Sequence, residues 1–462
     1  MAYLVSQITN LINDSVKDAL GKNYAITKAD TTDVVSLGKA IDDFNAYEGF
    51  FGSLVNRLVK TVYFVRTYNG TNRSVLRDEH EYGAFVQKVY YEMPTAVDNA
   101  TWEIPNSSTG AYEQASPYDV EGTIGVSALI FGGKGTWSLE ILRPVEQIKS
   151  AFTDPSSMSA FIDGIYVTIE NAFKLEEERL VALAVNTAMA DSLDGGKARN
   201  LLAEYNSKYN QNLTKETALV SADFLRFASM EINRTVDNMG AMSTAYNKAG
   251  YSTFTSRENM VVEMLAQFAS ATDMYLQSDT FHNELTQLPN YEKVPFWQTS
   301  GKNFDFADCS AISIENDDIS EDAIAQDGII CFVHDVENVA CYFGARRSWE
   351  MFNPRSEVMI HGEKAEKGFA VDGHANATVF YMGSTGTLTI SDFDNGTAVA
   401  DTTDIYRGHN NIITVTPTSG YHVKSIVDGN SVALTKISNT VYAYVPTSDA
   451  DATITITMEA DA

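Results

Sequence analysis

Cysteine is scarce in this chain. Cys309, Cys331 and Cys341 are three residues in 462, odd in number, with no C-x-x-C pair among them. That excludes a zinc-ribbon pattern and a disulfide framework, and leaves three buried thiols in a reducing compartment as the reading. Basic residues are also short, with 33 Lys and Arg against 61 Asp and Glu and a net charge of −28. A field of that sign repels phosphate backbones and anionic membranes, which argues against a nucleic-acid reader. No apolar run approaches the length needed to cross a bilayer. The N-terminus lacks the basic n-region and continuous apolar core of a signal peptide.

Catalytic signatures are missing too. There is no P-loop, nucleophile elbow or H-E-x-x-H. Gly133-Lys134-Gly135 lacks the third glycine of a dinucleotide loop and joins strand to strand, as a β-turn does. The histidines (His80, His282, His334, His361, His374, His409, His422) are scattered without metal-ligand spacing. His334-Asp335 has no serine or cysteine in a strained turn to serve. Glu176-Glu177-Glu178 reads as a solvated helix face, and Asp392 and Asp394 before Gly396 read as turn chemistry. No catalytic, cofactor or metal-ligating residue is assigned, and no cofactor is expected.

What the chain has is 44% hydrophobic and 20% charged residues, the composition of a folded globular protein. Its most informative stretch runs from Gly135 to Met189, where a strand feeds a long helix. Met158, Phe161, Ile162, Ile165, Ile169, Phe173, Leu180 and Leu183 recur mostly at three- and four-residue steps. Asp154 suits the cap and Pro155 the first helical position. Glu170, Lys174, Glu177, Glu178 and Arg179 mark a polar face, and Asp194-Gly195-Gly196 ends the run.

Before it, Leu4, Ile8, Leu11, Ile12, Val16 and Leu20 predict an amphipathic helix, residues 30–60 read as helical, and Thr61–Tyr68 reads as a strand. Phe85–Tyr91 and Ile124–Phe131 are strand-like, and the polar excursion between them (Pro94 to Pro117) reads as a long two-stranded arm. After it, helices at Ala222–Asn238 and Met260–Ala269 alternate with strands at Cys309–Ile314, Gly328–Val333 and Val339–Phe343. Asp335 to Asn338 looks like a hairpin turn. A basic, aromatic patch from Arg346 to Pro354 precedes a strand at Ala375–Tyr381. Gly383-Ser384-Thr385-Gly386 reads as a flexible linker. Beyond it, TLTI, NIITVTPT, YHVKSIVD, TVYAYVP and ATITITM alternate at period two between turns, predicting a small β-sandwich. The fold class is α+β with an appended all-β domain.

This order of features resembles the major capsid proteins of tailed bacteriophages, of the Hong Kong 97-type fold, and is most similar to the short-tailed phi-29 group of podoviruses. The residues that carry the likeness are Ile148-Lys149-Ser150-Ala151-Phe152, Phe161-Ile162-Asp163, Lys174–Glu178, Phe352-Asn353-Pro354 and Ala375-Asn376-Ala377. The tail, with Val415-Thr416-Pro417, Ser419-Gly420-Tyr421 and Val427-Asp428-Gly429, is similar to bacterial immunoglobulin-like surface repeats.

The resemblance implies a capsid domain over 1–383. Its parts are an N-arm (1–60), an extended loop with flanking strands (61–145), a spine helix region (146–195), an axial domain (196–340) and a return to the peripheral domain (341–383). An immunoglobulin-like sandwich follows at 384–462. It implies a non-enzymatic subunit of an icosahedral phage head, assembled in the host cytoplasm and located in the virion capsid. Implied partners are further copies of itself in hexamers and pentamers, scaffolding and portal proteins, packaged double-stranded DNA held without specific binding, and a host or glycan ligand for the C-terminal domain. The acidic surface suits a wall that must not adsorb DNA. Arg346, Arg347, Trp102 and Tyr112 are the candidate inter-subunit contacts. The alternatives are an encapsulin-like compartment shell and a bacterial surface adhesin with an immunoglobulin-like tail.

Overall fold

The computed structural model describes residues 12–18, 74–79, 85–93, 103–105, 112–114, 125–132, 135–144, 155–277, 291–298, 309–316 and 319–461. Residues 12–18 are helical, as the N-terminal periodicity predicts. The expectations for residues 30–60 and Thr61–Tyr68 lie outside the described residues, as does Asp154.

The spine helix runs from Pro155 to Asp194, 40 residues, or about 60 Å at the rise of an α-helix. Pro155 is its first residue, where a missing N–H costs no hydrogen bond. Its end is a Schellman motif. Gly196 takes φ +69, its N–H donates to Leu193 O, and Lys197 N–H donates to Ser192 O at 2.7 Å; glycine reaches that φ without a Cβ clash.

The helix does not keep one apolar stripe along its length. From Ala184 to Ala190 every residue is buried, because this half lies where two sheets meet. Leu180, Val181, Val185 and Met189 share one core cluster with Phe332 and Val379 of a central sheet and Val339 and Cys341 of a second sheet.

The central sheet orders its strands as Ala198–Asn200, Ala377–Tyr381, Ile329–Asp335, Met260–Leu265 and Glu292–Val294. The outer pairings are parallel and the inner ones antiparallel. On the face away from the spine lie the helices Leu201–Tyr209, Ala222–Met239 and Ala266–Gln277, packed against Val262, Met264, Ile330, Val333 and Phe380. Both faces are therefore covered, so the three inner strands are buried along nearly their whole length and do not alternate.

Met260–Leu265 is a strand, not the start of the helix its Met260, Val261, Met264 and Leu265 spacing predicts; the helix begins at Ala266. A strand buried on both faces shows no period-two pattern, and its apolar run mimics a buried helix turn. Asp335–Asn338 is a turn, but not of a hairpin. Ile329–Asp335 enters the central sheet while Val339–Phe343 enters the second sheet, so the turn passes the chain between layers.

The second sheet is built around Val358–Val371, 14 residues long. Gly135–Pro144 pairs along one edge of it. Val339–Phe343 and Arg347–Asn353 share the other, and Leu76–Glu79 runs parallel to Val339–Phe343. The arm leaves this body as an antiparallel ladder of Phe85–Tyr91 with Val126–Gly132, and Glu103–Pro105 pairs with Tyr112–Gln114 farther out.

After Tyr381 the chain forms two four-stranded sheets. Leu388, Ile405, Ile426, Ile454 and Ile456 from one face Ile413, Val415 and Tyr442 from the other, giving a sandwich. The segment expected to be a flexible linker is tied down. Met382 and Gly383 are buried, Gly383 N–H donates to Asn200 Oδ1 at 3.0 Å, and Gly386 already begins a strand.

Candidate inter-subunit surfaces and the arm latch

Strand alternation gives each exposed ladder two faces, and here both ladders turn an apolar face to solvent. On the arm, Val89 is opposite Ala128 and Tyr91 opposite Val126, with Ile130 opposite Gln87. Tyr91 is 65% exposed, Val126 60% and Ile130 66%. On the second sheet, the face away from the spine helix aligns Leu142, Ile360 and Met351 in one row, Glu140, Gly362 and Trp349 in the next, and Ser138, Lys364 and Arg347 in a third. Leu142 is 58% exposed, and Trp349 and Met351 are also open to solvent. A Cβ on Gly362 would stand 2.2 Å from Trp349 Cε2; the glycine lets the indole lie flat across the sheet, where it extends the apolar row. Contiguous exposed apolar surface of this kind marks an association site.

The sheet's other face carries charge into the interior. Arg346 donates through Nε to Glu363 Oε2, and its guanidinium carbon stands 3.4 Å from the centre of the Phe173 ring on the spine helix. His361 lies 3.4 Å from both Glu350 and Glu363. Burial alone would lower the His361 pKa, but the two carboxylates outweigh it and raise it. Burial likewise opposes the charged form of Glu363, yet hydrogen bonds from His361 and Arg346 hold its carboxyl below the ordinary range. Arg346, expected to pair with a neighbouring subunit, thus finds its carboxylate in its own chain. Arg347, one residue on, points the opposite way and is exposed. Tyr112 sits in the outer arm strand pair, opposite Pro105, and Trp102 lies outside the described residues.

A second polar cluster fixes the base of the arm. Asp372, 2% exposed, accepts Lys88 Nζ at 2.9 Å and the Tyr90 hydroxyl. Lys88 also donates to Glu337 O. Tyr90 stacks on His374 with ring centres 4.5 Å apart, and the Tyr251 hydroxyl donates to Tyr91 O. Burial first, then the Asp372 hydrogen bond and charge, push the Tyr90 pKa up, so the hydroxyl keeps its proton and remains a donor. Loop backbone shapes the acceptor: His374 N–H donates to Asp372 Oδ1, and Asn338 Nδ2 donates to Asp372 O. Nothing in the sequence around Val371-Asp372-Gly373-His374 announces this role, since the partners lie more than 280 residues away. Among the described residues, no cluster of His, Cys, Asp and Glu is placed to hold a metal ion, and no helix is long and apolar enough to cross a membrane.

The described body is thus a spine helix between two sheets with an extended arm latched to it, and both the arm and the second sheet expose apolar side chains. The chain belongs to the Phi29-like phage major capsid protein family, whose profile matches residues 12–381. It is a major capsid protein of the phage virion, forming the icosahedral head. Arm, spine helix and the two sheets around it all lie within the span of that profile. Among solved structures, the capsid of Staphylococcus phage Andhra is similar at 10% identity and TM-score 0.46, covering 68% of this chain and 84% of that one. The capsid of Cyanophage P-SCSP1u is similar at 9% identity and TM-score 0.40, covering 69% and 93%. No curated protein sequence matches the chain.

Proposed function

We propose that the head is built by seating the apolar arm face of one subunit, centred on Tyr91, Val126 and Ile130, on the neighbour's Leu142, Met351 and Trp349. The observation that carries this reading is the presence of two different exposed apolar strand faces on one chain. Two unlike patches make a head-to-tail contact, and such contacts close into rings when the rotation permits. Hexamers and pentamers are the rings an icosahedral shell needs. Arg347, with Lys364 beside it in the third row, supplies a charged rim for the contact; Tyr112 travels with the arm to the same neighbour, and Trp102 is a further contact residue in this proposal.

The subunit has a structural role and no catalytic one. Its −28 charge keeps the wall from adsorbing the packaged double-stranded DNA. Scaffolding and portal proteins are the partners of assembly. The C-terminal sandwich is an immunoglobulin-like decoration facing outward, toward a host or glycan ligand; its facing sheets around a shared apolar core support that assignment.

Charge placed on either apolar face tests the contact. Leu142→Asp, Met351→Lys and Ile130→Asp should each leave the circular dichroism and unfolding transition unchanged while abolishing rings and shells in electron micrographs. Normal shells from all three variants would refute the proposed contact.

A further inference from the structure

The family profile ends at residue 381, so the C-terminal sandwich is additional to what that profile covers. Even so, it is seated on the capsid body through a dense set of contacts at one spot. Asn200 is the hub. Its side-chain oxygen caps the helix Leu201–Tyr209 by accepting Ala203 N–H at 3.1 Å, and accepts Gly383 N–H at 3.0 Å. Its amide donates to Asp449 Oδ2 at 3.1 Å. Asp449 in turn accepts Arg407 N–H through Oδ1 at 2.9 Å. The Arg407 guanidinium then reaches the end of the spine helix and donates to Leu193 O. Tyr406 is 7% exposed beside Arg407. Tyr381, fully buried in the body core, has its pKa raised by burial and by the nearby Asp449.

We infer that the sandwich is an intramolecular clamp on the C-terminal end of the spine helix, in addition to anything it binds outside. Three features carry the inference. Leu193 O is a terminal carbonyl outside the helix's own ladder; it accepts Gly196 N–H at 3.2 Å and has a second lone pair for the Arg407 guanidinium, which there also meets the negative end of the helix dipole. Asn200 joins helix cap, chain exit and sandwich in one side chain, so none of the three shifts without the others. Gly383 is held at its N–H and enclosed: a Cβ there would stand 2.7 Å from Asn200 Nδ2 and 2.8 Å from Asp449 Oδ2. The segment 382–386 therefore does not act as a swivel. The consequence is mechanical. The sandwich sits at a fixed angle to the spine, so every copy in a shell presents it identically, and the last turn of the spine is stiffer than the Schellman motif alone makes it.

The test is hydrogen exchange with mass spectrometry on the full chain, comparing the wild type with Arg407→Ala and Asp449→Asn. Arg407→Ala should speed exchange of the amides in residues 188–197 roughly tenfold, the size expected from losing one charge-assisted bond at a helix end. Exchange in the sandwich strands Asn411–Pro417 and Val441–Tyr444 should stay unchanged, which separates loss of the clamp from unfolding of the domain. Asp449→Asn should speed exchange in 382–386 by a similar factor, since Arg407 N–H and Asn200 both lose a charged acceptor. Should Arg407→Ala prevent folding, Arg407→Lys, which keeps a charge but not the planar reach, should give a smaller acceleration at the same amides. Unchanged exchange at 188–197 and 382–386 in these variants would overturn the clamp. So would acceleration spread evenly through the sandwich.

Discussion

Replacing Asp372 by Asn tests the arm latch with the least disturbance. The amide is the same size and keeps an oxygen for His374 N–H, so the loop retains its shape. The main chain still accepts from Asn338. What disappears is the negative charge facing Lys88 at 2.9 Å, in a site where Asp372 is 3% and Lys88 21% exposed in its side chain. A hydrogen bond to a charged group contributes about 1.5–3 kcal/mol. Stranding a fully buried charge costs about 3–5 kcal/mol, but the partial exposure of Lys88 and its second acceptor, Glu337 O, discount that figure. With the oxygen kept by His374 N–H, the new amide nitrogen stands where Oδ2 accepted Lys88 and Tyr90, so Tyr90 keeps a neutral hydrogen bond by accepting from it and Lys88 keeps none there. Together these put the loss at about 2–3 kcal/mol of arm docking, or a roughly 30- to 150-fold larger undocked population.

Limited proteolysis within residues 85–132, at protease levels where cleavage is slower than reclosing, reads that population directly. The double variant Lys88→Met/Asp372→Asn should recover part of the loss, because the stranded ammonium is gone. Cleavage accelerated less than about threefold in Asp372→Asn, or strict additivity of the two substitutions, would refute an energetic latch.

The buried pair on the second sheet predicts a pH dependence. His361 has a folded pKa above its ordinary 6.5, so its contribution is complete below pH 6.5 and is lost as pH rises through the folded value. Glu363 has a folded pKa below its ordinary 4.5, so its contribution is complete above pH 4.5 and is lost as pH falls through the folded value. Urea unfolding should place the greatest benefit of the cluster between those two values. His361→Asn should abolish the alkaline limb and shallow the acidic one, because Glu363 loses one of the hydrogen bonds that hold it down, and Glu363→Gln should abolish the acidic limb and shallow the alkaline one. Phe332 is fully buried in the cluster shared by the central sheet and the spine helix, so Phe332→Ala should lower the unfolding free energy by about 3–5 kcal/mol, measured on the unassembled chain. Gly362→Ala should displace the Trp349 indole, seen as a change in tryptophan fluorescence with little loss of secondary structure.

Much of the architecture was legible because local rules and tertiary packing agree there. Pro155 and Gly195-Gly196 bracket the spine helix, and the five period-two segments after Gly386 are all strands. Where both sides of an element are buried, periodicity fails. Met260–Leu265 misleads for that reason. Val358–Val371 was not predicted at all, although it is the organising strand of its sheet. Its Gly362, Glu363, Lys364, Glu366 and Lys367 break any apolar pattern, and the carboxylate of Glu363 is tolerated inside because Arg346 and His361 meet it. Partners such as these, like Lys88 with Asp372 or Asn200 with Asp449, are far apart in sequence and have no local signature. The Asp335–Asn338 turn shows the same limit: two neighbouring strands were legible, but not that they enter different sheets.

Electron microscopy of the purified full chain, with and without the scaffolding protein proposed as its partner, tests the central claim most directly. Closed icosahedral shells with a wall one subunit thick are the predicted result. Monomers alone, across a range of salt and protein concentrations in both preparations, would contradict it.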